Sequence, residues 1–230
     1  MNILLVDVES TGLDPTKDRA IEIAGVLYSV EHRCIIQQAS TVANLGDTAY
    51  GAGDVHGIPE HVLTTPNVHW GAAGYIVDWF RFWDSEAAYV MAHNAKFDKA
   101  FFNQGDLLTQ STWLDSQHLP HTHYKTQPSL VELCLHYGVP VVSAHRALDD
   151  CRLLAELLGK LPDLEGAISY AAEPRITVKA LIDYGRRQEA KDSGFTWDRM
   201  VKGAWAKTIR ASEFTALDES LTFGILEVAA

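Results

Sequence analysis

Four acids constrain this chain more than any other feature. Asp7 and Glu9, Asp98, and Asp150 lie in three stretches far apart in the sequence, each beside or within an otherwise apolar segment. Residues 2–7, Asn-Ile-Leu-Leu-Val-Asp, read as a buried strand, closed by a turn over Asp7-Val8-Glu9-Ser10-Thr11-Gly12. Side chains alternate along a strand, so Asp7 and Glu9 leave the same face. Asp98 falls in the first turn of a helix whose apolar positions are Phe97, Ala100, Phe101 and Phe102. Its spacing from Phe101 and Phe102 puts it on their inward face, while Lys96, Lys99 and Asn103 point outward. In the helix opened by Ala147, Asp150 aligns with Leu153, Leu154 and Leu157, whereas Asp149 aligns with Arg152 and Glu156. Asp150 is therefore the inward acid and Asp149 a solvated one. Carboxylates a few ångströms apart resist joint ionisation unless a cation compensates them.

Taken singly, each piece has a plainer reading. Asp7-x-Glu9 is a polar strand end before a Thr-Gly turn, Asp98 stabilises a helix N-terminus through the macrodipole, and a lone His145 before a helix is structural or exposed. Order and spacing decide otherwise. Asp7-x-Glu9-x-Thr11-Gly12, His93-Asn94-Ala95-x-Phe97-Asp98 and His145-x-Ala147-x-x-Asp150 resemble the three motifs of the DEDDh 3′→5′ exonucleases. Lesser likenesses fall at His56-Gly57-Ile58, at Asp115 after a strand, and along Ser129 to Val139, so the resemblance spans about residues 1–162. Ser10, where family members often have Thr, keeps the hydroxyl.

The resemblance implies a ribonuclease-H-like α/β fold, a mixed five-stranded sheet flanked by helices. It also implies two divalent cations held by Asp7, Glu9, Asp98 and Asp150, with Asp7 bridging them, Glu9 and Asp150 completing the water-activating site, and Asp98 supporting the second ion. Oxygen-only ligation suits Mg²⁺ or Mn²⁺ better than Zn²⁺. His145 becomes the general base, since an imidazole titrates near neutral pH. By position, Ser10, Thr11 and Gly12 meet the 3′-terminal nucleotide, Leu13 and Ile58 act as apolar wedges against its base, and His56 and Asn94 line the site. The implied partner is a nucleic-acid 3′ end, single-stranded or frayed DNA, with RNA, a homodimer and polymerase association left open. The opposing reading is a non-hydrolytic nucleic-acid-binding or polymerase-associated module that kept the fold. The presence of every ligand and the base favours the enzyme.

Composition fits an ordinary globular protein of 230 residues, 47% hydrophobic and 21% charged. The first apolar run is too short for a signal peptide or a membrane span. Cys34, Cys134 and Cys151 lack metal-ligand spacing, so reduced thiols and a cytoplasmic location are the expectation. His118, His121 and His123 lack the acid or Cys partners of a zinc site. Net charge is −11 but unevenly spread: residues 1–164 hold 10 Lys and Arg against 20 Asp and Glu, and residues 175–210 hold 9 against 4. Electrostatic capture of nucleic acid is expected from the second segment.

Strands are predicted at 2–7, 20–29, 33–42, 88–92 and 111–115, and helices near 68–83, 97–104, 128–137 and 147–159. The first three strands form an antiparallel meander, and the later ones, alternating with helices, run parallel. The exonuclease domain is placed at 1–162 and a small C-terminal module, nucleic-acid-binding or structural, at 163–230. In that module a strand is predicted at 175–184, a helix at 186–192, a turn over Gly194 to Asp198 leading to Lys207, and a last strand within Leu221 to Glu227. Its interleaved Arg, Lys and Trp residues suit a stacking surface for single strands. The plainer account makes Phe195, Trp197 and Trp205 the core of a tiny domain or a dimer contact.

Overall fold

A computed structural model describes residues 1–65, 74–120 and 128–228. The chain divides into two units, Met1–Ala171 and Ala172–Ala230. The division falls after Ala171 rather than after Pro162, because residues beyond Pro162 fold as a further helix of the first unit.

The first unit begins with the expected meander. Strands β1 (Asn2–Ser10), β2 (Ala20–Ser29) and β3 (Cys34–Val42) pair antiparallel. β2 is buried along its whole length, as its near-continuous apolar sequence requires. Two one-turn helices, α1 (Gly53–His56) and α2 (Glu60–Leu63), precede α3 (Gly74–Glu86). β4 (Tyr89–Ala92), α4 (Ala95–Gln104) and β5 (Trp113–Asp115) follow. β4 runs parallel to both β1 and β5, giving the order β3-β2-β1-β4-β5. This is the mixed five-stranded sheet of a ribonuclease-H-like fold. α5 (Leu130–His136) starts at a capping box, in which the Ser129 hydroxyl accepts the Glu132 N–H and Glu132 accepts the Ser129 N–H. α6 (Ala147–Lys160) packs on β1, β2 and β3, and α7 (Leu164–Ala172) completes the unit. The predicted helix start at residues 68–73 and the histidines at 121 and 123 lie outside the described residues.

The two faces of β1 do different work. Leu4, Val6 and Val8 join Ile76, Phe80, Phe101 and Phe102 in one core cluster with α3 and α4. Their alternates, Asp7 and Glu9, face the other way, toward the layer holding α6.

β1 extends three residues beyond the predicted strand. Pairing with β2 continues through Glu9↔Glu22 and, after an irregularity between Glu9 and Ser10, Ser10↔Ala20. The acid-bearing stretch is thus strand, and the turn begins only at Thr11.

The second unit is an antiparallel sheet of order β7-β8-β6-β9, from β6 (Arg175–Leu181), β7 (Thr196–Trp197), β8 (Trp205–Arg210) and β9 (Gly224–Val228). Helices α8 (Arg187–Asp192) and α9 (Phe214–Ser220) accompany it. The predicted strand and helix appear, shortened, and the last strand is β9. Trp205 to Lys207, read as the stretch after a turn, instead open β8, the strand between β7 and β6 that runs on to Arg210. Its core is Val178, Ala190, Phe195, Ile209, Phe223 and Ile225. Among the described residues, no helix is long and apolar enough to cross a membrane.

Candidate active site

Asp7, Glu9 and Asp150 each offer a carboxylate oxygen within 4.8 Å of the others. Asp7 and Glu9 arrive from one face of β1, and Asp150 from the first turn of α6. Asp149, one residue away, instead pairs with Arg152 at 3.3 Å, as the helical spacing predicts.

Asp98 stands next to this trio but outside the cluster of mutually close oxygens. It is 2% exposed, and its Oδ1 accepts the Val8 N–H at 3.2 Å, tying α4 to the strand between the two β1 acids. Asp115, at the end of β5, sets the start of α4. Its two oxygens accept the N–H groups of Asn94 at 3.0 Å and Ala95 at 3.1 Å. Asn94, at φ 73, is left-handed and contributes no side-chain cap of its own, so Asp115 supplies the acceptors this helix start lacks. His93 bridges the Ser116 hydroxyl and the Pro128 carbonyl.

Negative charge accumulates in a poorly solvated place. Burial raises the Asp7 carboxyl well above the usual range, reinforced by Asp98, Asp150, Glu9 and Glu22. Burial, then Asp150 and Glu22, pushes Glu9 up to about 8, against the pull of Arg146. Asp98 is raised by burial despite the N–H groups of its own backbone and Val8. Asp150 is raised by burial, moderated by the His145 N–H bonded to it and by the His145 charge. Such a cluster is unfavourable as four bare anions and suits a divalent cation, whose charge reverses each of these shifts.

Two supporting residues escaped the sequence reading. Glu22 lies directly opposite Glu9 across the β1–β2 pair, an arrangement that like charges disfavour. Arg146 resolves it, donating through Nε and Nη2 to the two Glu22 oxygens at 2.9 and 3.0 Å. The Ala147 N–H adds a third bond to Glu22. An acid between Ile21 and Ile23 in an otherwise apolar strand was the available signal. This clamp anchors the residue after His145. His145 itself is exposed, at φ 66, and its N–H donates to Asp150 Oδ2 at 2.9 Å.

The other predicted positions divide. Ser10 and Thr11 are buried, their hydroxyls bonded to the Gly12 carbonyl and to Asp18. A side chain on Gly12 would have to displace the Asp18 carboxylate from its bonds to Thr11 and Asp14. Leu13 is 85% exposed and Asn94 is exposed, as surface contacts would be. Ile58 is not a wedge at the surface: at 3% exposure it packs with Ile21, Leu45 and Leu63. His56 is equally buried, its ring joining the Gly51 carbonyl at 3.0 Å and the Ile58 N–H at 2.9 Å. It shapes the loop that presses Gly51 against Thr11 instead of lining an open site.

The Exonuclease family model RNase_T matches residues 4–158. The chain belongs to the DEDDh 3′→5′ exonucleases. This exonuclease is 32% identical over 166 residues to DNA polymerase III subunit epsilon of Treponema pallidum (strain Nichols), covering 66% of this chain and 72% of that protein. Its fold is similar to the nuclease domain of 3′hExo bound to rAMP, with TM-score 0.56, 16% identity, and 72% and 92% of the two chains covered. It is also similar to Exonuclease X in complex with 5′ overhanging duplex DNA, with TM-score 0.52, 22% identity, and 74% and 97% covered. Residues 176–224 of the exonuclease match a family described as a domain of unknown function, DUF8626.

Proposed function

We propose that this exonuclease removes nucleotides singly from the 3′ ends of single-stranded or frayed DNA, releasing nucleoside 5′-monophosphates with two divalent cations. The observation that carries the reading is the convergence of Asp7, Glu9 and Asp150 at one point, in a pocket that disfavours their bare charges. The donor set fits the cations: all oxygen, anionic and partly shielded from water, which suits Mg²⁺ or Mn²⁺. Asp7, Glu9 and Asp150 would hold them, with Asp98 in support. When bound, such ions lower the pKa of water and stabilise charge on the leaving oxygen.

The chain's own groups supply the rest. His145 accepts the proton of the attacking water on an imidazole nitrogen, its backbone fixed to Asp150 and its neighbour Arg146 clamped to Glu22. The Thr11–Gly12 backbone and Leu13 meet the terminal nucleotide, with Asn94 lining the site. DNA as substrate, and attachment to a polymerase, are supported by the relative that is a DNA polymerase III subunit. Recognition of a nucleoside monophosphate is supported by the rAMP held by 3′hExo.

The test is a 3′-labelled oligonucleotide incubated with Mg²⁺, Mn²⁺ or EDTA. Labelled mononucleotide should appear only with metal and vanish in Asp7→Ala. Internal fragments, or no product under any metal, would sink the proposal.

A further inference from the structure

Two large rings of the second unit, Tyr184 and Trp197, stand clear of its core, and a third, Trp205, packs against that core while keeping part of its surface open. Tyr184 is 75% exposed, Trp197 is 52% exposed, and Trp205 is half-buried. Trp197 and Trp205 sit opposite each other across the β7–β8 pair, ring centroids 5.8 Å apart and planes at 59°. The Arg187 guanidinium lies over the Tyr184 ring, 4.4 Å from its centroid. Two adjoining clefts, about 400 and 370 Å³, share all three rings. A fold of this size gains from burying such side chains. Leaving the open faces of these rings together marks a contact surface.

The charge around the rings selects the occupant. Arg187, Gln188 and Lys191 wall one cleft and Lys179 the other, and among the described residues no acid lines either. Of the acids nearby, Glu189 is engaged by Arg186 and Thr222, Asp192 by the Gln188 amide and Asp198 by the Gly203 N–H, while Asp183, beside Tyr184, interacts electrostatically with Arg186. Aromatic faces beside unneutralised cations are the chemistry of single-stranded nucleic acid, whose bases stack and whose phosphates need positive charge. Protein interfaces also favour Tyr, Trp and Arg but are depleted in Lys, so Lys179 and Lys191 beside the rings favour a polyanion over a protein partner.

We infer that Tyr184, Trp197 and Trp205, flanked by Arg187, Lys191 and Lys179, form a stacking platform that holds single-stranded nucleic acid independently of the carboxylate centre. The inference rests on the reading that the chain acts on nucleic-acid ends, and it assigns strand capture to the C-terminal unit. Stacking on bases makes this capture tolerant of sequence.

Binding of fluorescein-labelled dT20 to the full chain, followed by anisotropy in EDTA to prevent turnover, tests it. Trp197→Ala and Tyr184→Ala should each raise Kd by about tenfold, and Trp197→Phe should recover most of the loss. Changing Arg187 and Lys191 together to Gln should flatten the slope of log affinity against log salt by about 1.4. All these variants should hydrolyse the p-nitrophenyl ester of thymidine 5′-monophosphate, with Mn²⁺, at the parental rate. Unchanged dT20 affinity in the folded Trp197→Ala protein overturns the platform, as does equal affinity for blunt duplex. Loss of a dimer in sedimentation without loss of dT20 binding would assign the edge to a second copy instead. Failure of the parental chain to hydrolyse the ester would count against the exonuclease mechanism and leave the anisotropy result to judge the platform.

Discussion

At the scale of single residues, the carboxylate centre depends on an ion pair beside it. Arg146 stands between two acids placed opposite each other, Glu9 and Glu22. Arg146→Leu should destabilise the fold by about 1 to 3 kcal/mol, read from urea midpoints, the lower part reflecting solvent screening at a side chain 44% exposed. Glu22→Gln in that background should recover part of the loss, and if it recovers none the pair is not what holds the segment. His145→Ala keeps its N–H bond to Asp150, so metal affinity should persist while turnover falls by about 10² to 10⁴. A variant turning over at the parental rate would remove the imidazole from the chemistry. Gly51→Ala would drive a methyl group into the Thr11 carbonyl and should cost about 1 to 3 kcal/mol, with KM raised through displacement of the Thr11 loop.

At the scale of elements, β1 and α6 together create a dependence on pH. Glu9 titrates at about 8 in the fold against an ordinary 4.5, so between those values the native state binds more protons than the unfolded one. Metal-free stability is therefore highest at the acidic end of that window and declines as pH rises through it. In EDTA, Tm should be lower at pH 8 than at pH 5, and Mg²⁺ or Mn²⁺ should raise it more at pH 8, where the ligands are ionised. Equal metal-induced shifts at both values would contradict this. The same elements show what the sequence disclosed. The apolar runs and helical spacing identified the central strands and the inward faces carrying Asp98 and Asp150, because burial writes itself into periodicity. The true length of β1 was hidden, since its last residues are polar and only pairing with β2 makes them strand. The Glu22–Arg146 clamp, the capping role of Asp115 and the buried role of His56 were hidden for a related reason: hydrogen bonds between distant segments leave no local period.

At the scale of the whole molecule, two separate cores predict separable tasks. A chain ending at Ala171 should fold by itself, hydrolyse the nitrophenyl ester at an unchanged rate and bind dT20 more weakly than the full chain. Aggregation of that fragment, seen by light scattering, would show instead that the first unit needs the second. The carboxylates, meanwhile, come from β1, α4 and α6, the first and last of them separated by more than half the polypeptide. On the proposed assignment of these carboxylates, a ribosome carries a chain that is harmless to the nucleic acids around it, and cutting ability arrives only after α6 has emerged and closed over β1.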